Sequence, residues 1–188
     1  MIADRQLAWT HGLEDHLRPI AGVTAVATTA TMPFGIDRDG VLYVGVQGDA
    51  VDPDHPLVAR AHRVNERFFG AMGIKIIAGR DFTADDRSST MAVAIVNRTF
   101  ARRYLGNHDP LTAKFAAGYP EVPAAPLYTV VGVVDDVKYV SLGQPADPAY
   151  YTPAAQTPYF TQAVVINTAL ADPISICLLY TSPSPRDS

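Results

Sequence analysis

The chain has 188 residues, of which 48% are hydrophobic, and a formal net charge of −4. That is enough chain to bury a real core in one domain or two small ones. The mildly acidic balance argues against a broad nucleic-acid footprint, which needs clustered Lys and Arg.

Residues 3–18 are predicted to form a helix, with Leu7, Leu13 and Leu17 near helical spacing and Pro19 and Gly22 ending it. The β-branched run 23–29 reads as a strand, and the Pro/Gly-containing 32–40 as a loop. Strands follow at 41–47 and 57–64, separated by a loop at 49–56. Asn65 is placed to cap a helix over 66–72, with Gly73 as its left-handed stop. A short strand is expected at 74–79, and Thr83 with Asp86 forms a capping-box variant that starts a helical turn. The apolar run 91–97 reads as a buried strand, and Asn97 caps a helix over 98–105 that Gly106 ends. In that helix Phe100/Tyr104 and Ala101/Leu105 make the apolar stripe, and Arg98/Arg102 the wet one. Further strands are expected at 128–137, 149–153 and 162–168. Strands outnumber helices without alternating regularly with them, which gives an α+β fold with mixed sheets. No internal repeat is visible.

The last residues differ in kind. Proline in Ser182-Pro183-Ser184-Pro185 lacks the N–H that a helix or central strand needs. Cys177 to Asp187 look like the translation of a transposase-type sequencing adapter, so 177–188 read as a non-native tail and 1–176 as a piece of a longer protein. Dropping the tail removes Arg186 and Asp187 together, leaving the charge at −4, and removes the sole cysteine, Cys177. Disulfides and thiolate metal sites are then excluded. No run of 18 apolar residues suggests a membrane helix, and the start of the chain lacks the apolar stretch of a signal peptide. Taken alone the chain reads as cytoplasmic; taken as a piece, as an exported loop whose anchor lies beyond it.

The sequence offers no G-x-S-x-G, H-E-x-x-H, P-loop or G-x-G-x-x-G. Asp37, Asp39 and Gly40 hint at a calcium loop, but glycine falls fourth instead of sixth and Gly48 stands where glutamate is required. Asp135 and Asp136 end a strand and point to opposite faces, which suits turn residues better than a shared site. Asp85 and Asp86 suit a helix start. His11, His16, His55, His62 and His108 are scattered. Asn97-Arg98-Thr99 matches a glycosylation sequon, although the cap already explains Asn97. Arg98, Arg102, Arg103 and Lys114 form a basic patch that reads first as a solvated helix face. No residue is assigned a catalytic, cofactor-binding or metal-binding role, and no cofactor is expected.

Five blocks in order carry a resemblance. Asn65 to Asp86, running N-E-R-F-F-G-A-M-G-I-K-I-I-A-G-R-D-F-T-A-D-D, is similar to the "YF…GI…L..GR.FT..D" signature of the MacB-like periplasmic core domain. That domain belongs to ABC transporter permeases of the MacB/FtsX type. Val93–Asn97 with Phe100–Arg103 resembles "VAIVN…LARR", and Asp109-Pro110 resembles "DP.G", with Leu111 and Thr112 where glycine is usual. Thr129–Val134 with Asp136-Val137 resembles "VVGVV.DV", and Tyr150–Pro153 resembles "VYLPY" with Thr152 in a usually apolar place. The resemblance implies an extracytoplasmic domain between membrane helices of a bacterial inner-membrane permease. It implies no catalysis in this domain, with ATP hydrolysed by a separate ABC ATPase domain or subunit. It implies a permease homodimer, leaves room for a periplasmic adaptor, and involves no nucleic acid. Two subdomains are expected, about 81–155 being inserted into about 1–80 plus 156–176. The alternatives are a free-standing periplasmic binding module and a soluble enzyme using Asp37, Asp39 or Asp136.

Overall fold

In a computed structural model, residues 2–31, 40–50, 52, 54–106, 108–118, 126–139, 143–157 and 163–173 are described. Asp37, Asp39 and the tail 177–188 lie outside them. The elements are α1 (Ile2–Leu17), β1 (Val23–Thr29), β2 (Gly40–Val46), β3 (Leu57–Val64), α2 (Phe68–Met72), β4 (Ile76–Gly79), β5 (Val93–Asn97), α3 (Arg98–Phe100), β6 (Lys114–Gly118), β7 (Leu127–Val134), β8 (Ala149–Pro153) and β9 (Ala163–Thr168). The α+β class and the mixed pairing follow: β3–β8 and β5–β7 run parallel, and the other ladders antiparallel.

The ladder order β2-β6-β7-β5-β8-β3 returns to β2, because β2 also pairs with β3 along Gly40↔Ala61 to Val44↔Leu57. Six strands therefore close into a small barrel, which leaves none of them a free edge within the ring. Its interior is filled by alternate residues of each strand, among them Val44, Val46, Ala59, Ala94, Val96, Phe115, Tyr128, Val130 and Tyr150. On β7 the alternation breaks: Ala94 pairs with Val130 but Ile95 with Gly132, so Val131 is bulged out of register. One extra residue shifts the parity, and Val133 rejoins Tyr128 and Val130 inside.

The segment after β5 plugs this interior. A helix over 98–105 is expected; the chain instead makes one turn, α3, and then a π-turn over Ala101–Leu105. The wider turn aligns residues five apart, so Phe100 and Leu105 both enter the barrel core. Tyr104 packs edge-on to Phe100, at 5.1 Å between centroids, and donates its hydroxyl to the Val58 carbonyl at 2.6 Å.

A second core lies outside the barrel wall, where Val93 and Ile95 of β5, Val134 of β7, Tyr151 of β8 and Val64 of β3 meet Phe68, Phe69 and Ala71 of α2 and Ala27 of β1. Full burial of Phe68 and Phe69 contributes about 2–3 kcal/mol each. β1 extends this wall from β3, and β9 pairs along β1 from Val23↔Thr168 to Thr29↔Ala163.

Candidate functional site

Four elements meet around a surface cleft of about 470 Å³, lined by Arg18, Val23–Val26, Glu66, Arg67, Gly70, Ala71 and Asp81. Glu14 lies on α1 and Arg18 just past its end, one turn on, and Arg18 donates to the Glu14 carboxylate at 2.9 Å. Glu14 is fully buried and also accepts from the Asn65 amide at 2.5 Å. Burial raises the Glu14 carboxyl, with the Glu66 charge adding to it, despite the arginine contact. Asp81 is raised in the same way, by burial first and by Glu66 in addition, while its carboxylate accepts the Phe82 N–H at 2.7 Å. The charged lining of the cleft is thus Arg18 and Arg67 with Glu66 and Asp81, and Glu14 is bonded to Arg18.

A raised carboxyl costs stability once it ionises, which fixes the sign of a test. The Glu14 contribution is present below the ordinary pKa of 4.5 and is lost as pH rises through the higher folded value. Glu14→Gln removes this pH dependence, but its amide NH2 must face either the Asn65 or the Arg18 donor, so it should cost about 1 kcal/mol at pH 7. Glu14→Ala instead strands the Asn65 amide and should cost about 2 kcal/mol. Urea titration of the two variants checks both.

The Asn65 side chain corrects one expectation. The helix after it begins at Phe68 with Arg67 in the cap position and no side-chain cap bond. Only the Asn65 carbonyl serves that turn, accepting from the Phe68 N–H at 3.2 Å, because its amide is turned to Glu14. Gly73 does stop the helix, at φ 66°.

The other residues singled out by sequence resolve into structural roles. Asp86 accepts the Thr83 N–H at 2.8 Å, so half of the capping box forms, but a turn follows it and no helix. Both Asp86 oxygens accept from the Arg80 guanidinium, at 2.8 and 2.9 Å. Desolvation opposes the Asp86 charge, but the bonds from Arg80 and Thr83 outweigh it and hold the carboxyl below its ordinary value. Asp136 accepts from the Thr99 N–H and hydroxyl, both at 2.9 Å, at the start of α3, and Asp135 pairs with Arg98 at 3.2 Å. Arg102 and Arg103 are exposed on the wet face.

Asn97 caps α3 as expected, accepting from the Phe100 N–H at 2.8 Å, and its oxygen also takes the Ala149 N–H at 3.0 Å. Its amide donates to the Asp147 carbonyl at 2.8 Å. Asn97 is fully buried, so the sequon is not presented to solvent. Asn97→Ala removes all three bonds and leaves buried groups unpaired, an expected loss of about 3 kcal/mol measurable by chemical denaturation.

The histidines do not converge. His55 lies 3.1 Å from Asp52 and His108 lies 3.6 Å from Asp49, both at the surface, whereas His62 is inside the second core. Among the described residues no three His, Cys, Asp or Glu side chains are grouped to hold a metal ion. Among them, too, no helix is long and apolar enough to cross a membrane. Sequence reasoning passed over Glu14, Arg18, Glu66 and Asp81. The four-residue spacing of Glu14 and Arg18 was a usable signal, but nothing local joins them to Asp81.

Comparison with known proteins places this architecture. The periplasmic region of MacB from Actinobacillus actinomycetemcomitans is similar at a TM-score of 0.59 and 16% identity, over 90% of this chain and 69% of that one. The extracellular domain of the noncanonic ABC-type transporter YknZ from Gram-positive bacteria is similar at 0.59 and 18% identity, over 88% of this chain and 76% of that one. A domain of a permease protein from Porphyromonas gingivalis gives 0.55 and 15% identity, over 87% and 65%. At these identities the likeness concerns the fold. No curated protein matches the chain in sequence. The profile of the MacB-like periplasmic core domain matches residues 5–177, and the chain belongs to that family.

Proposed function

We propose that this domain serves an ABC transporter permease as a non-catalytic relay, passing ATP-driven motion of membrane helices to an extracytoplasmic partner or cargo. The observation that carries this reading is the family match over residues 5–177, with solved relatives that are periplasmic or extracellular domains of transporters. In this reading ATP is hydrolysed on a separate ABC ATPase domain or subunit, and two permeases pair as a homodimer in the bacterial inner membrane with this segment in the periplasm. A periplasmic adaptor is a further partner of the same kind. Motion in such an assembly is passed by rigid bodies that change their packing.

The test is to re-amplify the locus from source DNA and read across both ends. Apolar spans of about 20 residues on both sides support the permease. A cleavable signal peptide with a stop codon just after the domain replaces it with a free periplasmic module. The division into an inserted part of about 81–155 and a remainder is also a proposal. Limited proteolysis that releases a stable piece with those ends supports it, and cleavage confined to other connections removes it.

A further inference from the structure

We propose that α1 is a releasable element: it leaves its seat on β1 as a unit while the barrel and the second core stay folded, and ionisation of Glu14 favours the released state. Strand alternation locates the seat. Ala27 and Val64 point into the second core. Their neighbours Val26, Thr28 and Asn65 point to the other side, where α1 packs on β1, and all three are buried. The Asn65 N–H bonds the Thr28 carbonyl at 3.1 Å, which carries the alternation through Asn65. From α1 come Thr10, Glu14 and Leu17, which are buried, and Leu13, which is half-buried. These positions recur every three or four residues and form one stripe. Half of the stripe is polar, and one of its polar members is a carboxyl.

Such a seat is poorly sealed. Glu14 accepts from Asn65 and Arg18, but Thr28 Oγ1, Asn65 Oδ1 and Arg18 Nε are buried and find no protein partner among the described residues. Buried polar atoms without partners weaken the closed state, because water satisfies them in the open one. α2, in contrast, is sealed by Phe68 and Phe69. The hinge falls at residues 19–21. Gly22 beyond it is fixed: its carbonyl accepts the Ala169 N–H at 2.9 Å, and a Cβ on it would stand 2.5 Å from the Leu170 Cγ. A 16-residue helix without its seat is marginal in water, so release exposes its amides.

Charge sets the direction. Glu14 faces His11 and Arg18, which Asp15 shares at 3.7 Å, and it faces Glu66 from the segment after β3; β1 and α2 bring no charged side chain. Burial favours the neutral carboxyl in the seat, and Glu66 reinforces that preference. On the released helix Glu14 ionises at its ordinary 4.5. Release therefore becomes easier as pH rises from there, and levels off once the seated carboxyl has ionised too.

The experiment follows amide exchange of the 188-residue chain by NMR at pH 5 and pH 7, corrected for the intrinsic rates. The Leu13, Glu14, Leu17 and Arg18 amides are expected to share one opening constant, well above that of Val96 and Val133 in the barrel. That constant should rise about threefold or more between the two pH values. In Glu14→Gln the rise should vanish while the shared opening remains. If that variant does not fold, a carbon-13 titration of the Glu14 carboxyl in the unaltered chain replaces it, and the opening constant should level off where that titration ends. Opening constants equal to those of the barrel overturn the proposal. So does a graded change along α1, which is fraying from the chain start, and so does a rise that survives in Glu14→Gln or ignores the Glu14 titration. The permease reading stands or falls separately, on the sequence flanking the domain.

Discussion

Gly79→Ala is expected to cost 3 kcal/mol or more, on the order of the largest single-residue effects, and to leave little folded protein at 37 °C. Gly79 of β4 lies opposite Gly132 of β7, at φ 72°. A Cβ there would stand 2.2 Å from the Val131 carbonyl oxygen and 2.9 Å from the Gly132 Cα. Both obstacles are backbone, so no side chain can rotate away. Gly132 is the mirror case, where a Cβ would stand 2.4 Å from the Arg80 carbonyl oxygen. The Val131 bulge brings the two backbones this close, and the Arg80 N–H bonds the Val131 carbonyl at 3.0 Å. Urea midpoints of Gly79→Ala and Gly132→Ala test this, with Gly45→Ala, which meets nothing within 4 Å, as the control. Losses no larger than that of the control would remove the argument.

Acid is expected to unfold the domain earlier than its carboxylates alone would dictate. His62 is fully buried, stacked on Tyr139 at 4.0 Å and Tyr151 at 5.1 Å, with Nδ1 2.7 Å from the Thr31 hydroxyl. Burial, with the Arg60 charge adding to it, lowers the imidazole from 6.5 to about 3. The unfolded chain takes up this proton near pH 6.5 and the folded chain does not, so the stability is complete above 6.5 and declines as pH falls toward 3. Over the whole window the loss is on the order of 4 kcal/mol, and about 2 kcal/mol of it falls by pH 5. Glu14 acts in the opposite sense, since its raised carboxyl favours the folded state at low pH. His62→Phe keeps an aromatic ring and removes the titration. Its stability between pH 7.5 and pH 5 should therefore be about 2 kcal/mol flatter than that of the parent. Identical slopes would show that His62 charges freely in the folded state.

The sequence was most legible where a rule acts over a few residues. Asn97 could be read as a cap because a cap needs only the next three residues, and Gly73 as a stop because a left-handed φ selects glycine. Asn65 looked the same by that rule and differs, because its amide answers to Glu14, 51 positions earlier. The helix stripe Phe100/Tyr104 and Ala101/Leu105 does face the barrel core, but the π-turn it runs through leaves no mark in an apolar pattern. The Val131 bulge is hidden in the same way inside a continuous Val run. Family blocks gave the class and the ancestry, but not the closure of β2 onto β3 and β6 at once, nor the cleft, whose walls come from positions as far apart as Arg18 and Asp81.

Ring closure also orders events in time. The β2–β3 hairpin is contiguous in sequence, yet β3 must wait for β8, since Arg60 pairs with Ala149 and Val64 with Pro153. β1 waits longer still, for β9, where Thr24 donates to Asn167 across 143 positions. Contacts of such high order are entropically expensive until the last partner arrives. During vectorial synthesis β3 therefore emerges well before β8, whose pairing with it begins at Ala149. At about 5–20 residues per second that interval lasts several seconds, during which this edge of β3 is open to pairing with other chains.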